Sequence, residues 1–180
     1  MSVFSNPALR SLEQAREYTA AVVGLLEGRD PLAVLRSTAS ALGQALHGLS
    51  DTDLSRPEAE GKWSMRQVAQ HLADSELVWG YRLRMVLAHD RPSITGYDQD
   101  LWAERLHYAE ADVAQALKTF ATLRDGSLRL LSRASADDLK RVGVHAERGE
   151  ESVEHMIRLY AGHDLLHLNQ LARIRRTVTT

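Results

Sequence analysis

Three observations predict an all-α fold, an antiparallel four-helix bundle with an additional N-terminal helix. Four long segments repeat their apolar residues at intervals of three and four. Helix start signals stand ahead of these segments: Asp30-Pro31, Ser64 with Gln67, and Asp112. No segment offers repeated apolar-polar alternation closed by hairpin turns. The 180 residues fit one domain, 1–180, with the bundle core at about 31–176 and the accessory helix at about 8–27.

Asn6-Pro7 supplies an N-cap and a first helical residue, and Leu9, Leu12, Val22, Val23 and Leu26 follow at helical spacing until Gly28. Asp30-Pro31 repeats the signal, and Leu32, Leu35, Ala39, Leu42 and Leu46 carry the first long helix to about His47. Ser50 to Gly61 is polar, contains Arg56-Pro57, and reads as a loop. Ser64 and Gln67 form a capping box, with Trp63 placed to staple onto Val68, for a helix from about Met65 to Ala88. Asp90 to Gly96 is a connector, and Tyr97 to Trp102 a short helical turn. Asp112 opens the stripe Val113, Leu117, Phe120, Leu123, Leu128 and Leu131. Ser135 to Leu139 is a capped turn, and Arg141 to Gly149 a short extended segment. The last helix starts near Glu151 or Ser152 and ends near Arg176.

Composition narrows the function. At 44% hydrophobic and 26% charged residues the chain buries a core and stays in solution. A net charge of −2 without a basic tract gives no sign of nucleic-acid binding. The absence of Cys excludes disulfides, thiolate ligands and a cysteine nucleophile. The start, Met1 to Pro7, has no basic region followed by an apolar run, and no stretch is long and apolar enough for a bilayer. Cytoplasm is the expected location.

The chemistry concentrates in the last helix. His163 and His167, four residues apart, project from one side, beside the stripe Met156, Leu159, Tyr160, Leu166, Gln170 and Ile174. Two imidazoles on a buried stripe need hydrogen bonds, charge or a metal. His71 lies on the inward stripe of the Met65 helix and is the third candidate ligand. Three neutral imidazoles suit Zn, Ni or Fe(II) and leave a position open for water or substrate. Asp74 and Asp164 are candidates to orient the imidazoles, with Asp164 equally readable as a solvated helix carboxylate. Glu104-x-x-His107 lacks the second such unit that a di-iron bundle needs, so His107 reads as surface or structural, and His47, His89 and His155 lack a partner pattern.

The run Lys62 to Asp74, with Trp63-Ser64 and His71-Leu72-Ala73-Asp74, resembles the signature of the DinB/YfiT-like family. Tyr97 to Ala103 resembles that family's segment between its second and third helices, and His163-x-x-x-His167-x-x-Gln170 its last-helix motif. The resemblance spans about Pro31 to Arg176. It implies a four-helix bundle, often a homodimer, with a divalent metal on His71, His163 and His167. It further implies a small-molecule substrate, and either metal-activated water in a hydrolase or a low-molecular-weight thiol in an S-transferase. A non-catalytic metal-binding or dimerisation bundle is the alternative.

Overall fold

The structure, a computed structural model, describes residues 12–178. The expected start of the first helix at Asn6-Pro7 lies outside them. Helix α1 covers Leu12–Gly24, α2 Pro31–Leu46, α3 Asp51–Ser55 and α4 Met65–Ala88. Strand β1 is Ser93–Ile94, followed by α5, Gln99–Arg105, and a 3-10 turn, Tyr108–Glu110. Then come α6, Val113–Leu131, α7, Ala136–Lys140, the strands β2, Val142–His145, and β3, Gly149–Ser152, and finally α8, Val153–Val178.

The chain is a four-helix bundle built from α2, α4, α6 and α8. Helix α2 packs on α6 and α8, and α4 packs on the same two. The two helices that open the bundle in sequence thus share both neighbours. Helix α1 lies on α8.

The predicted helix starts are where the caps are. Asp30 accepts from the Leu32 and Ala33 amides ahead of α2. Ser64 and Gln67 close a reciprocal capping box on α4. Asp112 accepts from the Gln115 amide ahead of α6, and Ser135 with Asp138 caps α7. Leu35, Leu42, Val68, Leu72, Phe120 and Leu159 are all buried.

Two expectations need correction. The polar loop Ser50 to Gly61 contains α3, which a Ser50–Asp53 capping box initiates. The connector and extended segments build a three-stranded sheet in the order β1-β2-β3. Strands β2 and β3 pair antiparallel, Val142 opposite Ser152 and His145 opposite Gly149. Strand β1 pairs parallel to β2, Ser93 opposite Val144. The Gly143 position is as tight as the strand allows, since an added Cβ would stand 2.5 Å from Ile94 Cδ1 and 2.7 Å from Val86 Cγ2.

The apolar core falls into two clusters. One holds Leu35, Trp79, Leu83, Leu131, Met156 and Tyr160. The other holds Leu42, Met65, Val68, Leu72, Phe120, Leu171 and Ile174. On each long helix one or two buried polar residues separate the two. These are Thr38 on α2, Ser75 and Glu76 on α4, Arg124 and Ser127 on α6, and Asp164 and His167 on α8. The bundle therefore has a polar layer across its middle, where a buried polar atom left without a partner is costly.

Candidate metal centre

The three histidines singled out in the sequence meet in this layer. Helix α8 presents His163 and His167 one turn apart, and α4 brings His71 against them. The His163 Nε2 atom lies 3.2 Å from His71 Nε2 and 3.2 Å from His167 Nε2. The ligand atoms of all three rings lie within 4.8 Å of one another. His71 and His167 are buried and His163 half-buried. Trp63 packs its ring 4.9 Å from that of His71, so the staple residue also walls the cluster.

Protonation does not hold these rings together. Burial, with His167 nearby, pushes His71 well below the usual imidazole range. Burial, with His167, His71 and Arg124 adding to it, does the same to His163. Burial pushes His167 down to about 4, against the opposing hydrogen bond of Gln170. All three are neutral at ordinary pH. Gln170 Oε1 accepts from His167 Nδ1 at 2.8 Å, which places that ring's proton on Nδ1 and turns the Nε2 lone pair to its neighbours.

Neutral rings satisfy at most one of the two Nε2 contacts with a linear hydrogen bond, because a single N–H on His163 Nε2 serves one neighbour and His167 has none to offer. A cation serves all three at once. Bonds of about 2.0–2.1 Å to a common ion place neighbouring ligand nitrogens about 2.8–3.4 Å apart in octahedral or tetrahedral shells. Two of the three separations, both 3.2 Å, fall in that interval, and all the ligand atoms lie within 4.8 Å of one another. The donor set, three neutral imidazoles, is one that suits a divalent ion.

A cavity of about 80 Å³ adjoins His71 and His163. Its walls include Tyr18 of α1, Ser75 and Arg82 of α4, Tyr97, Tyr160, and Glu147 and Arg148 of the β2–β3 turn. Ser75 Oγ lies 3.3 Å from His71 Nε2 and 2.9 Å from the Tyr97 hydroxyl. Burial raises Tyr18 to about 12 and raises Tyr97 above its ordinary value, so both are hydroxyls and not phenolates.

The two acidic candidates behave differently from expectation. Asp74 accepts from the Tyr108 hydroxyl at 2.6 Å and from Gln70 Nε2 at 3.1 Å, and not from an imidazole. Asp164 is no solvated carboxylate: it is 1% exposed, and Arg124 reaches it with two bonds, of 2.6 and 3.1 Å. Its burial corrects the inward stripe, which runs through Asp164 and Leu171, leaving Leu166 partly exposed. The other histidines stay outside the cluster. His47 and His89 are C-caps, His107 sits exposed at φ 54°, and His155 is half-buried at the start of α8.

A family model described as the DinB superfamily matches residues 35–171. The chain belongs to this superfamily. It is 31% identical over 127 residues to a protein of Oceanobacillus iheyensis, covering 71% of this chain and 73% of that one. It is 29% identical over 144 residues to YfiT of Bacillus subtilis, covering 79% and 81%. Both relatives bear the name "putative metal-dependent hydrolase". The solved structure of Bacillus subtilis YfiT superposes with a TM-score of 0.78 at 28% identity, over 82% of this chain and 85% of that one. It is described as having an unusual four-helix bundle topology. Within this DinB-superfamily chain, α1 lies before the matched region, yet it contributes Tyr18 to the cavity. Tyr18, Arg82 and Glu147 carry no local sequence signal of a site; only the packing of α1, α4 and the β2–β3 turn brings them together.

Proposed function

We propose that this DinB-superfamily chain, as a single domain, is a metal-dependent hydrolase of a small molecule. The observation that carries the reading is the set of three neutral imidazoles with converging Nε2 atoms beside a cavity. His71, His163 and His167 are the residues that would hold the ion, with zinc, nickel and iron(II) all suited to imidazole ligands. Such an ion supplies the Lewis acidity that hydrolysis needs, acidifying water and polarising the bond to be cut. The names of the relatives support the same chemistry.

The chain's own residues supply the rest. Gln170 fixes the tautomer of His167. Ser75 and Tyr97 put two linked hydroxyls beside His71. Glu147 is the acidic side chain of the cavity wall and the candidate there for acid-base work. A low-molecular-weight thiol in place of water would make the same site an S-transferase, with the thiol drawn from solution because the chain has no Cys. A homodimer is part of the proposal. Leu77 and Tyr81 on α4, Leu101 on α5 and Leu106 just after it are exposed apolar residues that a second copy would cover.

The test is metal content of untagged protein together with turnover of small esters and amides, with and without added thiol. Wild type and His155→Ala are expected to carry one divalent ion per chain, and His71→Ala, His163→Ala and His167→Ala to lose it. Stoichiometric metal in any of those three variants overturns the site. Full metal with no turnover of either kind overturns the enzyme and leaves a structural ion. A monomeric mass by light scattering at micromolar concentration overturns the dimer.

A further inference from the structure

The cavity beside the histidines is also walled by a buried cation without a counter-ion. Arg82 is 6% exposed. Among the described residues no carboxylate comes within ion-pair distance of it. Its guanidinium donates to the Thr95 carbonyl at 2.6 Å and, at 3.5 Å, to the Tyr160 hydroxyl. Its Nε–H has no partner. Two neutral oxygens leave most of its five N–H donors and its whole charge uncompensated, at a depth where an unpaired charge costs several kcal/mol. The Tyr97 ring, 6.0 Å from the guanidinium carbon, only partly compensates.

The neighbouring charges do not remove the deficit. Arg148, on the same cavity, is spoken for by Glu151 through two bonds, of 2.6 and 3.0 Å. Glu147 stands across the wall, its carboxylate pressed against Gly96, where an added Cβ would lie 2.7 Å from Oε1. It does not pair with Arg82, and its own charge disfavours a dianion in the same space. The spacing on α4 gives direction. Arg82 follows His71 by eleven residues, three turns, so both side chains stand on one face about 16 Å apart along the axis at their Cα atoms. An arginine leans back toward the N-terminus of its helix, towards the histidines.

We infer that Arg82 anchors a carboxylate of the substrate, which is a small elongated monoanion with its carboxylate at Arg82 and its reacting bond at the histidines. The inference rests on the reading of the histidines as the reactive end. Planar guanidinium and planar carboxylate match in a two-bond fork, and the cavity has room for a small polar group of this kind.

The experiment follows the Arg82 Nε–H signal in full-length, 15N-arginine-labelled protein, metal-free and zinc-loaded. The probes are sodium acetate, sodium butyrate and inorganic phosphate. Acetate and butyrate are expected to shift that signal saturably in both forms, with phosphate binding more weakly. Arg82→Lys is expected to weaken acetate binding about tenfold or more by calorimetry, as loss of a charge-assisted fork does. Arg158→Gln, an exposed control of the same type on α8, is expected to leave it unchanged. An unmoved Arg82 signal overturns the anchor, and the wild-type titration decides this even where the Lys variant does not fold. A shift confined to zinc-loaded protein also overturns it, because the anion then sits on the metal. Phosphate binding as tightly as acetate overturns the carboxylate in favour of a phosphate. Zinc uptake is read on the same samples. Absent uptake is the failure of the histidine site, whereas intact uptake with a silent Arg82 is the failure of this inference alone.

Discussion

The histidine trio and the Arg124 cluster occupy the same level of the bundle and draw on the same two helices. His71 and Glu76 come from α4, and His163, Asp164 and His167 from α8. Around Arg124 each charged side chain is paired, with Glu76 Oε1 and Ser127 Oγ the buried atoms left over. Its guanidinium binds Asp164 twice, Glu76 at 2.8 and 2.9 Å, and the Leu35 carbonyl at 3.0 Å. Thr38 adds a bond to Asp164 at 2.8 Å. Burial works against the Arg124 charge, and Asp164 with Glu76 more than offsets it, so its pKa stays raised. The trio is the reverse case. Its rings are uncharged, three ring nitrogens face one another, and the buried Nδ1 of His71 has no partner. One region is closed around its own charges. The other brings uncharged ring nitrogens together without enough donors among them, and it borders a cavity. A buried polar group that its neighbours satisfy is architecture, and one that they leave unsatisfied beside a cavity points to a ligand.

The comparison breaks first at Arg124. Arg124→Met removes the cation and strands two carboxylates that are each 1% exposed. Breaking a buried network in this way costs about 3–5 kcal/mol. In metal-free protein His163→Ala removes an unsatisfied group instead, and its cost is expected to be under about 1 kcal/mol in urea denaturation, since replacing an unpaired polar group by an apolar one is close to neutral. Equal losses in the two variants, measured on the same metal-free preparation, would show that the two regions do not differ in kind.

How much of this was readable beforehand follows the range of each signal. Caps are local, so the starts of α2, α4, α6 and α7 were legible from three or four residues each. The spacing of His163 and His167 is local too, and His71 followed from its stripe and from the family resemblance. Strand β3 was not legible, because Gly149-Glu150-Glu151-Ser152 has no apolar residue to alternate and is held by backbone pairing to β2. Strand β1 is two residues long, too short for any periodicity. Helix α3 was hidden by the polar composition around its own capping box. Asp164 was misread because what buries it is Arg124, forty residues away and on another helix. Pairings of that range are written in the packing and not in any window of sequence.

A smaller effect sharpens the comparison through α1. Gly162 precedes His163, and a Cβ there would stand 2.2 Å from the backbone oxygen of Val22. Backbone cannot swing aside as a side chain does. Gly162→Ala is therefore expected to push α1 off α8 at a cost of about 1–3 kcal/mol. Tyr18 moves with α1, so the histidine side opens while the Arg124 cluster, which α1 does not supply, stays intact. Chelator extraction of zinc should accelerate in this variant more than its loss of stability predicts. An unchanged extraction rate would remove α1 as a wall of the site.

The smallest effect is one of pH, and its sign differs between the two regions. In metal-free protein the three histidines have folded-state pKa values below 6.5, that of His167 at about 4. Between pH 4 and 6.5 the unfolded chain binds protons there that the folded chain does not. Stability from this side is complete above 6.5 and falls as the pH drops through that window. Glu76 runs the other way. Burial raises it to about 7 against the opposing pull of Arg124, from 4.5 in the unfolded chain. Its contribution is complete below 4.5 and falls as the pH rises through 7. Glu76→Gln keeps the neutral shape and removes that opposing slope. The variant's stability should therefore climb more steeply than wild type between pH 4.5 and 7, by at most about 1.4 kcal/mol per pH unit, the limit for one proton. Urea midpoints at half-unit intervals measure it. Parallel curves for the two proteins would mean that Glu76 is fully ionised beside Arg124, and that the closed cluster carries a net negative charge at the level where the histidines carry none.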